Sequence, residues 1–91
     1  MAVTREEILE KTNIIIHNCM PELEGVEITE DTIVNKDIGM DSMCFILVMC
    51  KVENQFGIKV PEREWKKIST MKELVDVIQK YCDAKEEAAA N

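Results

Sequence analysis

The chain has 91 residues, 46% of them hydrophobic and 4% aromatic, with 18 acidic and 11 basic side chains and a formal net charge of −7. This length fits one small domain with an aliphatic core. The negative charge argues against binding to nucleic acid or to an anionic membrane surface, because both attract basic patches. Three glycines and two prolines leave little room for the many turns of an all-β fold.

Cysteine usage and the N-terminal segment indicate a reducing compartment. The four cysteines lie within apolar runs and form no CxxC pair, so we expect free thiols and no metal site. The N-terminal segment carries acidic residues where a signal peptide has a basic region. No uncharged stretch approaches the ~20 residues that a membrane span needs. We therefore expect a cytoplasmic location without membrane insertion.

The first predicted helix begins after Thr4. Thr4 and Glu7 have the spacing of a capping box, in which each side chain binds the other residue's backbone N–H. Apolar residues then recur on one helical face, and Pro21 ends the helix. Residues 21–41 follow as a long connection with seven acidic side chains and one lysine. The apolar residues expected to hold this connection against the helices are Leu23, Val26, Ile28, Ile33, Val34 and Ile38.

The second helix is predicted from about Asp41, a favourable N-cap, to Gln55, with Gly57 as a C-terminal stop. Its expected core face, at helical spacing, consists of Phe45, Val48, Met49, Val52 and Phe56. Pro61 can open a short third helix, because proline is tolerated in the first turn.

The fourth helix is predicted to begin at Thr70, which forms a second capping box with Glu73. Residues 1–84 are predicted to form one domain, and the charged, Ala-rich residues 85–91 a flexible tail. The predicted fold class is therefore all-α. It is a four-helix bundle with three longer helices, a short third helix and a long loop between helices one and two.

One motif lies where the acidic connection meets the second helix. It reads Asp37-Ile38-Gly39-Met40-Asp41-Ser42-Met43. The motif resembles the D-x-G-x-D-S-[LM] signature of the acyl carrier proteins, and the similarity extends over roughly residues 4–82. It includes the segments Val26–Thr32, Phe56-Gly57-Ile58, Val60-Pro61 and Ile68–Met71. The resemblance implies the acyl carrier type of bundle. It also implies a 4′-phosphopantetheine arm, derived from coenzyme A, on Ser42, whose thiol holds an acyl group as a thioester.

The residues of the motif suit this chemistry. A hydroxyl at a helix N-terminus is accessible to a modifying enzyme, and the N-terminal backbone N–H groups favour a phosphate there. Gly39 is expected to permit a backbone turn that a side chain would obstruct. Together with Asp37, Asp41 and Met43, it is expected to be recognised by the transferase. A plain helix cap would explain Asp41 and Ser42 alone, but not the whole motif.

Catalytic and metal-binding interpretations of the same residues fail. Counted from Asp37 as an EF-hand loop, positions six and twelve hold Ser42 and Val48 where calcium binding needs Gly and Glu. Ser42 also lacks the G-x-S-x-G turn of a hydrolase nucleophile, and His17 is the one histidine. The chain is therefore predicted to be a substrate of enzymes and not an enzyme.

The second helix departs from the family that it resembles. Residues 42–50 contain no charge, whereas the resemblance implies acidic residues here for docking on basic partners. Met43, Leu47 and Cys50 have the i, i+4, i+7 spacing of an apolar stripe opposite the core face. Two interpretations stay open: the connection covers this stripe, or the stripe docks dedicated partner enzymes. The candidate docking residues are Met43, Ile46, Leu47, Cys50 and Glu53.

The acyl groove is assigned to Ile46, Trp65 and Ile68. Trp65 stands where the family commonly has a small residue. It is therefore expected to fill the groove, to stack on the carried group, or to belong to the core. Residues 51–72 hold six basic side chains against three acidic ones. Those expected to pair with the acidic connection are Arg63, Lys66 and Lys67.

The leading functional prediction is a monomeric acyl carrier for fatty acid, polyketide or related biosynthesis. Its expected partners are a phosphopantetheinyl transferase and acyl-loading or acyl-processing enzymes such as synthases or transferases. An aminoacyl or peptidyl carrier is the alternative within the family, although Asp41 before the serine favours the acyl carrier. The alternative from another class is an unmodified helical interaction module that has kept the carrier fold.

Overall fold

Four α-helices follow one another in the computed structural model, which describes residues 3–90, with side chains described up to residue 86. They are α1, Arg5–Cys19; α2, Ser42–Phe56; α3, Glu62–Trp65; and α4, Met71–Ala90. A 3₁₀ turn over Pro21–Leu23 follows α1. Helix α1 packs against both α2 and α4. The predicted all-α bundle with a short third helix is confirmed.

The predicted helix starts are set by their caps. At α1, the Thr4 hydroxyl accepts a hydrogen bond from the Glu7 N–H at 3.2 Å. At α4, the Glu73 N–H donates to the Thr70 hydroxyl at 3.2 Å, and the Thr70 N–H donates to the Glu73 carboxylate at 2.9 Å. The backbone N–H groups of Thr70 and Ser69 lower the pKa of Glu73, because they favour its charged form. The capping box at α4 is therefore complete on both sides.

The core lies between the three longer helices. Its fully buried apolar side chains are Ile8, Ile16, Val48, Met49, Val52, Met71, Leu74, Val75 and Ile78. The predicted core face of α2 is confirmed for four of its five residues. Phe45 is the exception, since it is only half-buried and packs against Trp65 of α3.

The connection between α1 and α2 is held against the helices largely as predicted. Its buried apolar side chains are Leu23, Ile28, Val34, Ile38 and Met40. Val26 was also expected to hold the connection, but it is 43% exposed. Ile33 is half-buried and pairs with Thr70 in an isolated antiparallel bridge. The Asn13 side-chain amide adds a tie to α1, because it donates to the Ile28 carbonyl at 3.1 Å.

The connection also closes the N-terminus of α4. The carbonyls of Thr32 and Glu30 accept hydrogen bonds from the N–H groups of Met71, at 2.9 Å, and Lys72, at 2.8 Å. First-turn N–H groups have no partner inside their own helix, so these carbonyls supply what α4 lacks. The Val34 N–H donates in return to the Ser69 carbonyl at 2.9 Å.

Arg5 joins α1, the connection and α4 by ion pairs. Its guanidinium binds the carboxylates of Glu30 and Asp76. Both hydrogen bonds raise the pKa of Arg5, and the bond to Glu30 has the larger effect. The expected pairing of Arg63, Lys66 and Lys67 with the acidic connection is wrong for the described residues. Helix α3 instead forms an ion pair with α4, between Glu64 and Lys80. Lys67 lies 3.9 Å from that same Glu64.

Helix α2 ends at Gly57, as predicted. Its φ of +65° is left-handed, and its N–H donates to the Glu53 carbonyl. The Lys85 ammonium donates to the Phe56 carbonyl at 3.1 Å and thereby caps the same helix end. Helix α4 continues to Ala90, so the boundary at residue 84 stays a prediction, and part of the predicted tail 85–91 lies outside the described residues. Among the described residues, no helix is long and apolar enough to cross a bilayer.

Replacing Gly57 with alanine is expected to lower the free energy of unfolding by about 1–2 kcal/mol, because an L residue is strained in the left-handed region. The new Cβ would also lie 2.6 Å from the Lys85 ammonium and displace it. Gly25→Ala is the matched control, since its φ is +83° and its Cβ would meet nothing within 4 Å. Urea denaturation measures both variants. Equal losses would mean that the Lys85 contact contributes nothing, and no loss in either would contradict the strain argument.

Candidate functional site

Ser42 is the first residue of α2, and its side chain is exposed. Asp41 caps the helix, because its carboxylate accepts the Cys44 N–H at 2.8 Å. Among the described residues, the N–H groups of Ser42 and Met43 have no partner. The hydroxyl therefore lies at a helix end whose first N–H groups and positive dipole favour an anion.

The turn before Ser42 is closed by Asp37. Its carboxylate accepts the Ile33 N–H at 2.8 Å, and its own N–H donates to the Ile33 carbonyl at 2.8 Å. Gly39 has a φ of +67°, yet a Cβ there would meet nothing within 4 Å. The predicted turn is confirmed: the left-handed conformation favours glycine because a Cβ would crowd the residue's own backbone, and no neighbouring side chain contributes. Asp37, predicted for transferase recognition, therefore also has a structural role, and its recognition role stays a prediction.

A cavity of about 400 Å³ lies beside Ser42. The structure brings all three predicted groove residues, Ile46, Trp65 and Ile68, into its lining together with Ser42. The other apolar lining residues are Val34, Met40 and Phe45, and the polar ones are Asn35, Asp41, Glu62 and Lys66. Sequence reasoning placed Phe45 in the core. Its position three residues after Ser42 puts the two on one helical face and would have indicated the cavity.

Trp65 forms a wall of this cavity. It is half-buried, and its ring meets that of Phe45 edge to face, with centroids 6.4 Å apart and an interplanar angle of 77°. The Nε1 atom is buried and has no hydrogen-bond partner among the described residues. Of the roles that the sequence left open, filling the groove mouth and contacting a carried group agree with this placement better than a core position.

Glu64 fixes the position of α3 and therefore of Trp65. The Glu64 carboxylate is nearly buried, and it accepts hydrogen bonds from the Lys80 ammonium at 3.0 Å and the Tyr81 hydroxyl at 3.1 Å. The hydrogen bond from Lys80, followed by that from Tyr81, lowers the pKa of Glu64. The bond between Lys80 and Glu64 also raises the pKa of Lys80. Because α3 is only four residues long, a side-chain anchor to α4 matters more than its own helical hydrogen bonds.

The outer face of α2 carries an exposed apolar patch, which consists of Met43, Ile46, Leu47 and Cys50. Met43 is 82% exposed, and Ile46 and Leu47 are each 48% exposed. The interpretation in which the connection covers this stripe is therefore wrong. Glu53, the fifth candidate docking residue, is half-buried and accepts the Val60 N–H at 2.7 Å. Its carboxylate is thus partly committed within the chain.

The cysteines have the character of small apolar residues. All four are free thiols. Burial raises the pKa of Cys44 and of Cys82, so their nucleophilic thiolate forms are disfavoured at neutral pH. The two ring nitrogens of His17 lie near backbone carbonyls, Nδ1 2.8 Å from that of Asn13 and Nε2 3.2 Å from that of Val26, and the neutral ring donates to one of them. It is therefore held on α1 by contacts unrelated to Ser42.

Comparison with known proteins matches most of the chain to one family. The family model described as "Phosphopantetheine attachment site" matches residues 15–78. The chain is 34% identical over 77 residues to the acyl carrier protein of Thermotoga maritima, covering 85% of this chain and 94% of the relative. It is 32% identical to the meromycolate extension acyl carrier protein of Mycobacterium leprae, covering 98% and 76%. It is 30% identical to that of Mycolicibacterium smegmatis, covering 99% and 90%.

Replacing Glu64 with glutamine is expected to lower Tm by a few degrees at pH 7. The folded carboxylate has a pKa below the ordinary value of 4.5, so its stabilisation is fully present above that value. The stabilisation is lost as the pH falls through the folded pKa, and the difference between wild type and variant should therefore shrink in acid. Thermal melts across this range measure it. Glu62→Gln, at an exposed residue of the same helix, is the control. A difference in Tm between wild type and Glu64→Gln that stays constant with pH would contradict the stabilising role of the Glu64 carboxylate.

Proposed function

The chain belongs to the acyl carrier protein family, and from that premise we propose that Ser42 is the residue that bears its 4′-phosphopantetheine arm. The chain is a carrier of acyl groups for fatty acid or related biosynthesis, works with biosynthetic enzymes and is not itself a catalyst. The observation that supports Ser42 is its exposed hydroxyl at an open helix N-terminus beside a cavity.

The second serine of the chain provides a contrast. Ser69 precedes α4, whose first N–H groups are already bound by the carbonyls of Glu30 and Thr32 and by the Thr70 hydroxyl. A phosphate at Ser69 would find these donors occupied. At Ser42, the corresponding N–H groups have no partner among the described residues, so the anion is better stabilised there.

The residues around Ser42 fit a phosphodiester with a long arm. The helix N-terminus offers N–H donors, and Lys66, which lines the same cavity, offers a positive charge. The Asp41 carboxylate is held by the Cys44 N–H, which keeps it in the cap. When bound, the prosthetic group supplies the thiol that holds the acyl chain as a thioester. The chain's own residues hold the anionic end and offer an apolar cavity to the acyl chain.

The base for the modification must come from the transferase. The one histidine of the chain, His17, lies against the backbone carbonyls of Asn13 and Val26, and the carboxylates of Asp41 and Asp37 accept backbone N–H groups. Among the described residues, no side chain forms a hydrogen bond with the Ser42 hydroxyl, so no general base is in place for its proton. This agrees with a carrier that is a substrate of a phosphopantetheinyl transferase.

The apolar patch on α2 is proposed as the surface that docks the acyl-loading and acyl-processing enzymes. Its side chains follow directly on Ser42 along the helix, so a partner seated on the patch reaches the attachment point. Burial of apolar side chains would supply the binding energy where charge is missing from residues 42–50. The relatives are named as acyl carriers, which favours acyl cargo over an aminoacyl or peptidyl one. A monomeric state and a cytoplasmic location stay predictions.

Ser42→Ala is expected to abolish modification and to leave the fold intact. The hydroxyl oxygen is the atom that forms the phosphodiester, and loss of a first-turn hydroxyl should cost about 1 kcal/mol at most. Intact mass after incubation with coenzyme A and a broad-specificity phosphopantetheinyl transferase measures the outcome. Ser69→Ala is the control and should gain the arm as wild type does. A mass gain by the Ser42→Ala variant would locate the arm elsewhere.

Leu47→Glu is expected to weaken binding of the holo protein to its acyl-loading enzyme by about tenfold, as for a buried interface residue. Binding of the wild type should change little between low and moderate salt, because exposed ion pairs are screened and apolar burial is not. Titration calorimetry at two salt concentrations measures both effects. Ile14→Glu, at an exposed apolar residue of α1, is the control. An affinity that collapses with salt, or that ignores Leu47, would contradict apolar docking.

A further inference from the structure

Met43 is the one exposed methionine among the residues that the structure describes. Its side chain is 82% exposed, at the second position of α2 and directly after Ser42. The other methionines of the described part of the chain are each at most 7% exposed: Met20, Met40, Met49 and Met71. A dissolved oxidant therefore reaches the Met43 thioether freely, whereas close packing keeps it from the buried ones.

An exposed methionine is oxidised by peroxides without help from neighbouring groups. A lone pair of the thioether sulfur attacks one oxygen of hydrogen peroxide, and the S–O bond forms as the O–O bond breaks. The hydroxyl proton passes to the departing hydroxide, which leaves as water. Sulfur loses two electrons and the peroxide gains them. Methionine sulfoxide reductases reverse the change, because they oxidise a dithiol and release the oxygen as water.

The position of Met43 makes this oxidation relevant to the attachment of the arm. Consecutive Cα atoms lie about 3.8 Å apart, so an enzyme that encloses the Ser42 hydroxyl also lies against Met43. Both side chains are exposed in the first turn of α2, and Met43 begins the apolar patch of that helix. A thioether can be buried against an apolar partner surface, whereas a sulfoxide oxygen buried there without a donor is costly.

We propose that Met43 is an oxidation-sensitive site, at which conversion to the sulfoxide slows attachment of the arm and reduction restores it. The inference rests on the proposed attachment at Ser42. Because the Met43 side chain is exposed, the added oxygen does not enter the core, and the fold stays intact. The step that responds to oxidation is the encounter of the apo protein with its phosphopantetheinyl transferase.

The first experiment locates the added oxygen. Apo protein is treated with hydrogen peroxide and then with dithiothreitol, which restores the thiols and leaves the sulfoxide. Cleavage with trypsin after Lys36 and Lys51 places Met40, Met43 and Met49 in one peptide, so fragment-ion mass spectrometry compares them directly. Met43 should gain oxygen about tenfold faster than the two buried methionines. Equal rates at the three methionines would overturn the proposal.

The second experiment measures attachment of the arm. Oxidised and untreated apo protein are incubated with coenzyme A and a broad-specificity phosphopantetheinyl transferase, and intact mass is followed with time. The kcat/KM of the transferase should fall about tenfold after oxidation, as expected for a polar atom left unpaired in an interface. Methionine sulfoxide reductases with dithiothreitol should restore it. A kcat/KM that oxidation at Met43 leaves unchanged, or that the reductases do not restore, would overturn the proposal.

Three variants test whether the effect belongs to Met43, each compared with its own untreated form. Met43→Leu removes the thioether, so its rate of modification should not respond to peroxide. Met43→Gln places a polar group there permanently, and it should be modified more slowly than wild type without any peroxide. Met43→Leu combined with Ile14→Met moves the exposed methionine to α1, where it should gain oxygen with no loss of rate. A loss of rate on oxidation of either leucine variant, or a Met43→Gln protein as fast as wild type, would contradict the proposal.

Failure of this inference is separable from failure of the attachment at Ser42. Untreated wild-type protein that gains no arm disproves the attachment, and the slowing of attachment falls with it, whereas the peptide comparison still decides which methionine is oxidised. Protein that gains the arm equally fast before and after oxidation at Met43 leaves Ser42 in place and rejects the role of Met43.

Discussion

Backbone N–H groups in the first turn of a helix need partners from outside that helix, and the arrangement of this chain depends on where they are supplied. At α4, carbonyls of Glu30 and Thr32 and the Thr70 side chain supply them, which fixes a connection that would otherwise be a long acidic loop. At α2, the Asp41 cap binds the third N–H and leaves those of Ser42 and Met43 open. The bound N–H groups at the start of α4 therefore stabilise the fold, whereas the unbound N–H groups at the start of α2 can bind an anion.

The fixed connection determines the position of the motif. Once Val34 is bound to Ser69, the turn closed by Asp37 and the buried side chains of Ile38 and Met40 bring the chain to the start of α2. Gly39 permits the left-handed bend between them. The acidic connection is therefore not a free loop. Its buried apolar residues hold it against the helices, and this keeps Ser42 at the surface.

Helix α2 divides the functional work between its faces. Its inner face packs in the core, the face that continues Ser42 through Phe45 lines the cavity, and its outer face exposes Met43 and Leu47. Helix α3 is too short to be stable on its own, and Glu64 anchors it to α4 so that Trp65 closes the cavity wall. Ile46 belongs to both the cavity lining and the apolar patch, so cargo and partner enzyme would meet adjoining faces of one helix, with the proposed attachment point at its end.

The sequence by itself determined the elements that rest on local rules. Thr4, Thr70, Asp41 and Gly57 mark helix ends because capping needs only neighbours in the chain, and period-3.6 spacing gave the core faces. The motif around Ser42 is also contiguous in the chain, so its resemblance to the family signature could be seen without the fold. Only the tertiary structure decided contacts between distant segments: the exposure of the Leu47 stripe, the pairing of Glu30 with Arg5, and the anchoring of α3 by Glu64. Such pairings depend on how helices pack and on which of several charges lies nearest, and neither is encoded in local spacing.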